Sequence, residues 1–142
     1  MDLNTQWIVG FTDGEGCFHI GINTNKSMTL GVQVLPEFTI TQHKDDEKVL
    51  HAFKDYFQVG VIRKNSGNCK CYRVRGQKNL LTVIIPFFEK HKLKTRKRVD
   101  FVKFRKVILM MEESKHLSVE GLEKIREIKS TMNLTSTKKK KF

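Results

Sequence analysis

Two carboxylates, Asp13 and Glu15, close the segment Ile8-Val9-Gly10-Phe11-Thr12-Asp13-Gly14-Glu15-Gly16, whose glycines at 10 and 14 share one helical face. Each such glycine costs a helix about 1 kcal/mol against Ala, so a pair four apart implies close approach of another backbone. A second chemical feature lies far downstream. Residues 90–106 hold nine Lys or Arg and one Asp, a density suited to phosphates, with affinity that falls steeply as salt rises. The thiols offer less. Cys17, Cys69 and Cys71 are odd in number, and Cys69-x-Cys71 is too tight for ordinary disulfide or zinc spacing. They read as reduced thiols in an intracellular protein, and no second Cys pair or His pair supports a zinc finger.

The whole-chain composition agrees with a polyanion partner. Among 142 residues there are 27 Lys+Arg and 15 Asp+Glu, a net of +12. The excess is uneven: residues 1–60 carry 4 basic and 8 acidic groups, and residues 61–142 carry 23 and 7. A field of that asymmetry favours nucleic acid or an anionic surface. The 39% apolar content and ten Phe suffice for one compact domain, which excludes whole-chain disorder. No apolar run approaches the roughly 20 residues of a membrane span, and the first residues lack the basic region of a signal peptide. No membrane role is expected.

These groups need elements to hold them. Residues 4–14 read as a short helix with Asn4 as cap and Trp7, Ile8 and Phe11 as its apolar face. Residues 17–24 alternate, Phe18, Ile20 and Ile22 on one side and Cys17, His19, Gly21 and Asn23 on the other, which predicts a half-buried strand. After a turn, residues 30–42 form a second strand, with Pro36 suggesting a bulge or an edge. Residues 45–57 predict an amphipathic helix burying Val49, Leu50, Phe53, Tyr56 and Phe57. A second hairpin spans residues 59–64 and 69–75. Residues 79–88 read as a helix broken by Pro86. A strong helix follows over 96–113, with Val99, Phe101, Val102, Phe104, Val107, Ile108 and Met111 apolar, and a last one over 118–132 opens at Ser118. The pattern predicts an α+β domain over 1–133, with one four-stranded antiparallel sheet and helices on a single face. Residues 134–142 read as a basic disordered tail.

The segment at 8–16 resembles the LAGLIDADG signature of homing endonucleases, with Phe11, Asp13, Gly14, Glu15 and Gly16 in place. Gly-Phe-Thr-Asp-Gly-Glu-Gly-Cys-Phe is a common variant in that family. The following hairpin, Thr41-Gln42 at the end of the second strand, and the stretch from Lys92 to Phe101 extend the resemblance to about residue 132. It implies a curved sheet in αββαββα order, with the motif helix at an interface between two copies. Trp7, Gly10, Phe11 and Gly14 would form that interface. The glycines would let two motif helices approach closely, bringing one acidic residue from each to the axis between them, where paired carboxylates share divalent metal ions.

By resemblance, Glu15 fills the metal-binding acidic position, with Gly14 beside it, and Asp13 fills the earlier, more structural one. Gln42 matches the residue that organises water near the scissile phosphate. Lys94 matches the lysine that stabilises transition-state charge, with Arg96 or Lys97 as alternative counterparts. A further basic residue common four positions after the Gln is replaced here by Asp46, so that cation is absent or supplied elsewhere. The outward face of the sheet would read DNA through His19, Gly21, Asn23, Asn25, Gln33, Glu37 and Thr39 of the first hairpin, and Val61, Arg63, Asn65, Arg73 and Arg75 of the second. A single motif implies a homodimer on a near-palindromic site.

The expectation is therefore a Mg²⁺-dependent, site-specific double-strand DNA endonuclease making a staggered cut, with Ca²⁺ supporting binding without cleavage. The alternatives are a non-cleaving DNA-binding regulator, an intron RNA maturase of the same fold (the one reading in which RNA is a partner), and half of a two-motif enzyme. The resemblance implies a free-standing intron-encoded protein acting in an organelle, chloroplast or mitochondrion, or in a prokaryotic cytoplasm.

Overall fold

The computed structural model describes residues 1–134; the expected tail falls, from residue 135 on, outside the described residues. Helix α1 (Thr5–Glu15) starts at Asn4, whose side chain accepts from the Trp7 backbone N–H at 2.8 Å. It runs directly into β1 (Gly16–Thr24), which turns back into β2 (Val32–His43). A single 3-10 turn leads to α2 (Glu47–Phe57), then β3 (Val61–Lys64) and β4 (Cys69–Val74). Helical segments α3 (Gln77–Asn79) and α4 (Ile85–Lys90) are joined by a π-helical stretch, Leu80–Ile84. Helices α5 (Lys97–Glu112) and α6 (Val119–Ser130) complete the described fold. Ser118 caps α6 as expected, its hydroxyl accepting from Gly121 N–H at 3.0 Å.

The four strands form one antiparallel sheet in the order β1-β2-β4-β3. Its inner face carries Phe18, Ile20, Val34, Phe38, Ile40, Tyr72 and Val74, all buried against the helices. Phe18 lies at the centre of an aromatic cluster, with ring centroids 5.1–5.6 Å from Phe38, Phe88, Phe101 and Phe104. Two residues after the motif, this side chain ties the end of α1 to both α4 and α5. Helices therefore cover one face and leave the other open.

The structure corrects several sequence expectations. Pro36 marks neither a bulge nor an edge strand: β2 is internal, and its register with β1 runs unbroken from Gly16↔Ile40 to Thr24↔Val32. Pairing to β4 begins only at Phe38↔Val74, so the missing N–H of Pro36 falls where β4 has ended. Pro86 does not break its helix. The π-helical stretch before it widens the turn that would otherwise demand the proline N–H, and helix continues to Lys90. Val99 and Val102 are 50% and 55% exposed, because α5 turns only its Phe101, Phe104, Val107, Ile108 and Met111 side inward. Tyr56 is 39% exposed, packed edge-on against Phe57 and Phe87 at the rim.

Strand β1 has a free edge, and side chains occupy it. Lys97 donates to Gly16 O, Asn133 Nδ2 to Phe18 O at 3.0 Å, and Lys129 to Ile20 O. Alternate outward carbonyls are thus satisfied from α5, α6 and the residues after it, which closes an edge otherwise open to strand addition.

Candidate nucleic-acid interface and motif site

The end of α1 is built by close contacts. A side chain at Gly16 would place Cβ 2.7 Å from Thr12 Cγ2 and 2.9 Å from Thr12 O, so only glycine fits where the helix becomes a strand. Asp13 faces the segment that enters α5. Its carboxylate accepts from the backbone N–H groups of Lys94 and Thr95 at 2.9 and 3.1 Å, and from the Thr95 hydroxyl at 2.7 Å. Thr95 Oγ1 in turn accepts from Lys97 N–H at 3.2 Å. Asp13 therefore pins the Lys94 backbone to the motif.

Glu15, two residues on, differs in every respect. It is exposed and has no hydrogen-bond or ion-pair partner among the described residues. Lys94 and Arg96 are likewise exposed, whereas Lys97 turns its ammonium onto the Gly16 carbonyl. Of the three alternative basic counterparts, Lys97 is the one held by the fold. A cleft of about 360 Å³ runs beside the motif end, lined by Asp13, Gly14, Thr95, Arg96, Lys97 and Lys103 among others.

Gln42 stands near the end of β2 on the helix-covered parity, half-buried, its amide donating to Thr41 O at 2.8 Å. Its register partner on β4 is Lys70, whose ammonium is 3.8 Å from Glu47. Lys70, on the neighbouring strand, is thus the cation in register with Gln42, while position 46 is acidic.

On α1, Gly10 and Gly14 are both exposed, and an added Cβ at either would meet nothing within 4 Å. Trp7, 41% exposed, stacks on Phe11 at 4.8 Å, and both rings lie against Phe53 of α2. The aromatic pair is thus partly engaged inside the chain, while the glycine stripe beside it is bare.

The open sheet face gathers the predicted base-reading side chains. His19 pairs in register with Glu37, Asn23 with Gln33, and Thr39 with Arg73, which is itself opposite Val61. Gly21 lies opposite Leu35, and Arg63 opposite Cys71. Asn25 and Asn65 sit in the turns, Asn25 donating to Gln33 at 3.2 Å and Asn65 placed 3.4 Å from the Thr41 hydroxyl. Arg75 donates to Glu37 at 2.7 Å. Burial, then the charge of Lys129, holds the His19 pKa below its ordinary value, which favours the neutral imidazole. Burial raises the pKa of the thiols of Cys17 and Cys71, so neither is an activated nucleophile. Sequence reasoning missed Thr95, Lys129 and Asn133. Lys129 and Asn133 act on carbonyls of β1 and Thr95 on the Asp13 carboxylate, all far away in the chain, for which no local signal exists.

Comparison with known proteins places this arrangement. The sequence model of the LAGLIDADG endonuclease family matches residues 8–108. Probable intron-encoded endonuclease 2 of Neurospora crassa is 36% identical over 99% of this chain, which spans 32% of that protein. The crystal structure of a homing endonuclease, I-TnaI, superposes with a TM-score of 0.91 at 52% identity, covering 94% of this chain and 90% of the other. The LAGLIDADG homing endonuclease I-SmaMI bound to cleaved DNA gives 0.90 at 35% identity, over 93% of this chain and 44% of its own. I-SmaMI has also been seen on an uncleaved DNA target in the presence of calcium ions.

Proposed function

Because the chain belongs to the LAGLIDADG endonuclease family, we propose that it is a site-specific homing endonuclease cutting both strands of a long, near-palindromic DNA site with a stagger. The observation that carries this reading is the contrast between the two motif carboxylates. Asp13 accepts three hydrogen bonds and holds the Lys94 segment, whereas Glu15 is exposed and unpartnered among the described residues. An exposed carboxylate with no partner among the described residues suits work on a ligand better than work in the fold.

Glu15 fits a divalent cation: it is an oxygen donor, accessible and in no competing ion pair among the described residues. When bound, Mg²⁺ would supply charge stabilisation to the attacking and leaving oxygens of a phosphodiester. No group of three His, Cys, Asp or Glu able to hold a metal occurs among the described residues. A complete site therefore calls for a second motif carboxylate, brought by another copy whose α1 packs on the Gly10–Gly14 stripe. In this reading Lys94 would oppose negative charge developing on phosphate, and Gln42 would order water at the scissile group, the roles the resemblance implies for them. The open sheet face binds the duplex, and Ca²⁺ is expected to hold it uncut. The chain spans about a third of the curated relative described above and 90% of the I-TnaI chain. Intron-encoded relatives support a gene carried in an intron, with action in an organelle as the reading it favours, and no described helix is long and apolar enough to cross a membrane.

The test is Glu15→Gln. Its DNA binding in Ca²⁺ should equal that of the wild type, and its cutting in Mg²⁺ should vanish. Retained cutting removes Glu15 from the chemistry; a wild type that binds but never cuts turns the reading to a regulator.

A further inference from the structure

The open face of the sheet differs chemically from one end to the other. At the hairpin end, Asn23 stands opposite Gln33, and Asn25 donates to Gln33 Oε1 at 3.2 Å. These groups are neutral carboxamides. At the other end, β3 and β4 bring Arg63, Arg73 and the following Arg75 around Glu37. Arg75 takes Glu37 at 2.7 Å, which leaves Arg63 and Arg73 with no ion pair among the described residues. Burial, followed by the charges of Arg75 and Arg63, opposes the charge on Arg73. With Glu37 taken by Arg75, this corner has cationic donors in excess of its carboxylate acceptors.

Base edges supply what each end lacks. Guanine offers O6 and N7, two acceptors that match the guanidinium fork, whereas a carboxamide matches adenine N6 and N7. The register fixes the order. Strand β1 leaves the motif at Gly16, level with Ile40, so Thr39 and Thr41 and the arginines beside them lie at the motif end. Gln33 lies eight residues from Thr41 along β2, roughly 26 Å at ~3.3 Å per residue, or about eight base pairs at ~3.4 Å each.

We propose that the protein reads a polarised half-site, with guanine opposite Arg63 and Arg73 near the cutting centre and adenine opposite Asn23, Asn25 and Gln33 at the outer end. The inference rests on the DNA-endonuclease reading and adds the base preference of each half-site to it. The Glu37–Arg75 pair sits between the two zones and keeps the third guanidinium from the guanine-reading set.

The experiment is selection from a randomised duplex library by the full chain in Ca²⁺, with bound DNA sequenced for the wild type, Arg73→Ala and Asn23→Ala. The wild type should select guanine at inner and adenine at outer positions. Arg73→Ala should lose a preference of roughly 5- to 150-fold at one inner position and keep the outer ones. Asn23→Ala should lose an outer preference about six to eight base pairs further from the centre. Sequences selected with no such order, or with the reverse order, overturn this inference and leave the endonuclease reading standing. So does an Arg73→Ala protein that weakens on all sequences alike, with a salt slope lower by about one, since that marks a phosphate contact. Failure of the wild type to select any sequence overturns both.

Discussion

Asp13 and Glu15 are separated by one glycine, yet removal of each should be read by a different instrument. Asp13 accepts two backbone N–H groups and a hydroxyl. Asparagine would keep one acceptor oxygen and turn an amide N–H toward a donor. The contacts are exposed, so water recovers part of the loss, and Asp13→Asn should cost about 1–2 kcal/mol. That lowers the melting temperature by roughly 2–8 °C at ~2–4 °C per kcal/mol. Cutting should slow as well, because the Lys94 segment loses its tether to the motif. Glu15→Gln removes no contact among the described residues, so its melting temperature should match the wild type while cutting is lost. Equal melting curves for all three proteins would show that the Asp13 contacts hold nothing in place. Resemblance assigned one acid to metal and the other to structure, and the Asp13 contacts agree with the second assignment. The partners of Asp13 were not legible, since two of them are backbone amides more than 80 residues away and a backbone amide leaves no trace in a sequence.

At the scale of elements, alternation and caps carried far. Asn4 and Ser118 start their helices as read, and the parity of β1 separates Phe18 and Ile20 from His19 and Asn23 as expected. The misreadings at Pro36 and Pro86 share one cause. A proline announces a missing N–H, but neighbouring strands and a π turn decide whether that N–H is needed. The β1 edge was equally hidden, because a lysine that caps a carbonyl looks like any lysine in a basic chain. It leads to a paired prediction for Lys129, which donates to Ile20 O and lowers the His19 pKa. Lys129→Met keeps the apolar stem and removes the donor, which should cost about 1–2 kcal/mol in denaturant unfolding. The His19 pKa, followed by NMR, should rise toward its ordinary value of 6.5. The sign for stability follows from linkage. A histidine with a lowered folded pKa binds protons more readily when unfolded, so its contribution is full above about 6.5 and is lost as pH falls through the folded value. The variant should lose less stability than the wild type on acidification across that window. An unmoved His19 resonance would separate α6 from the sheet face.

The whole molecule presents one contradiction that a single methyl group can resolve. Gly10 and Gly14 weaken α1 by about 1 kcal/mol each against alanine, and, outside the helix's own turns, nothing among the described residues lies within 4 Å of a Cβ at either. Packing within one copy therefore gives no reason for glycine. On the proposed pairing, a second α1 crossing at backbone distance is what such a stripe would accommodate. Gly10→Ala should then act in opposite directions at two levels. The unpaired chain should be more stable, by up to about 1 kcal/mol, because helix propensity rises with no clash. The pair should be weakened, because the methyl groups hold the two helices apart. Sedimentation velocity should show the wild type as two copies at micromolar concentration and Gly10→Ala as one, and the variant should lose cutting while each copy still binds DNA weakly. Steep salt dependence should survive, since the +12 net charge is untouched. If the variant stays paired and cuts normally, the glycine stripe is not the interface. The second carboxylate would then have to reach Glu15 across another surface, with the exposed Val99 and Val102 side of α5 as the next place to introduce bulk.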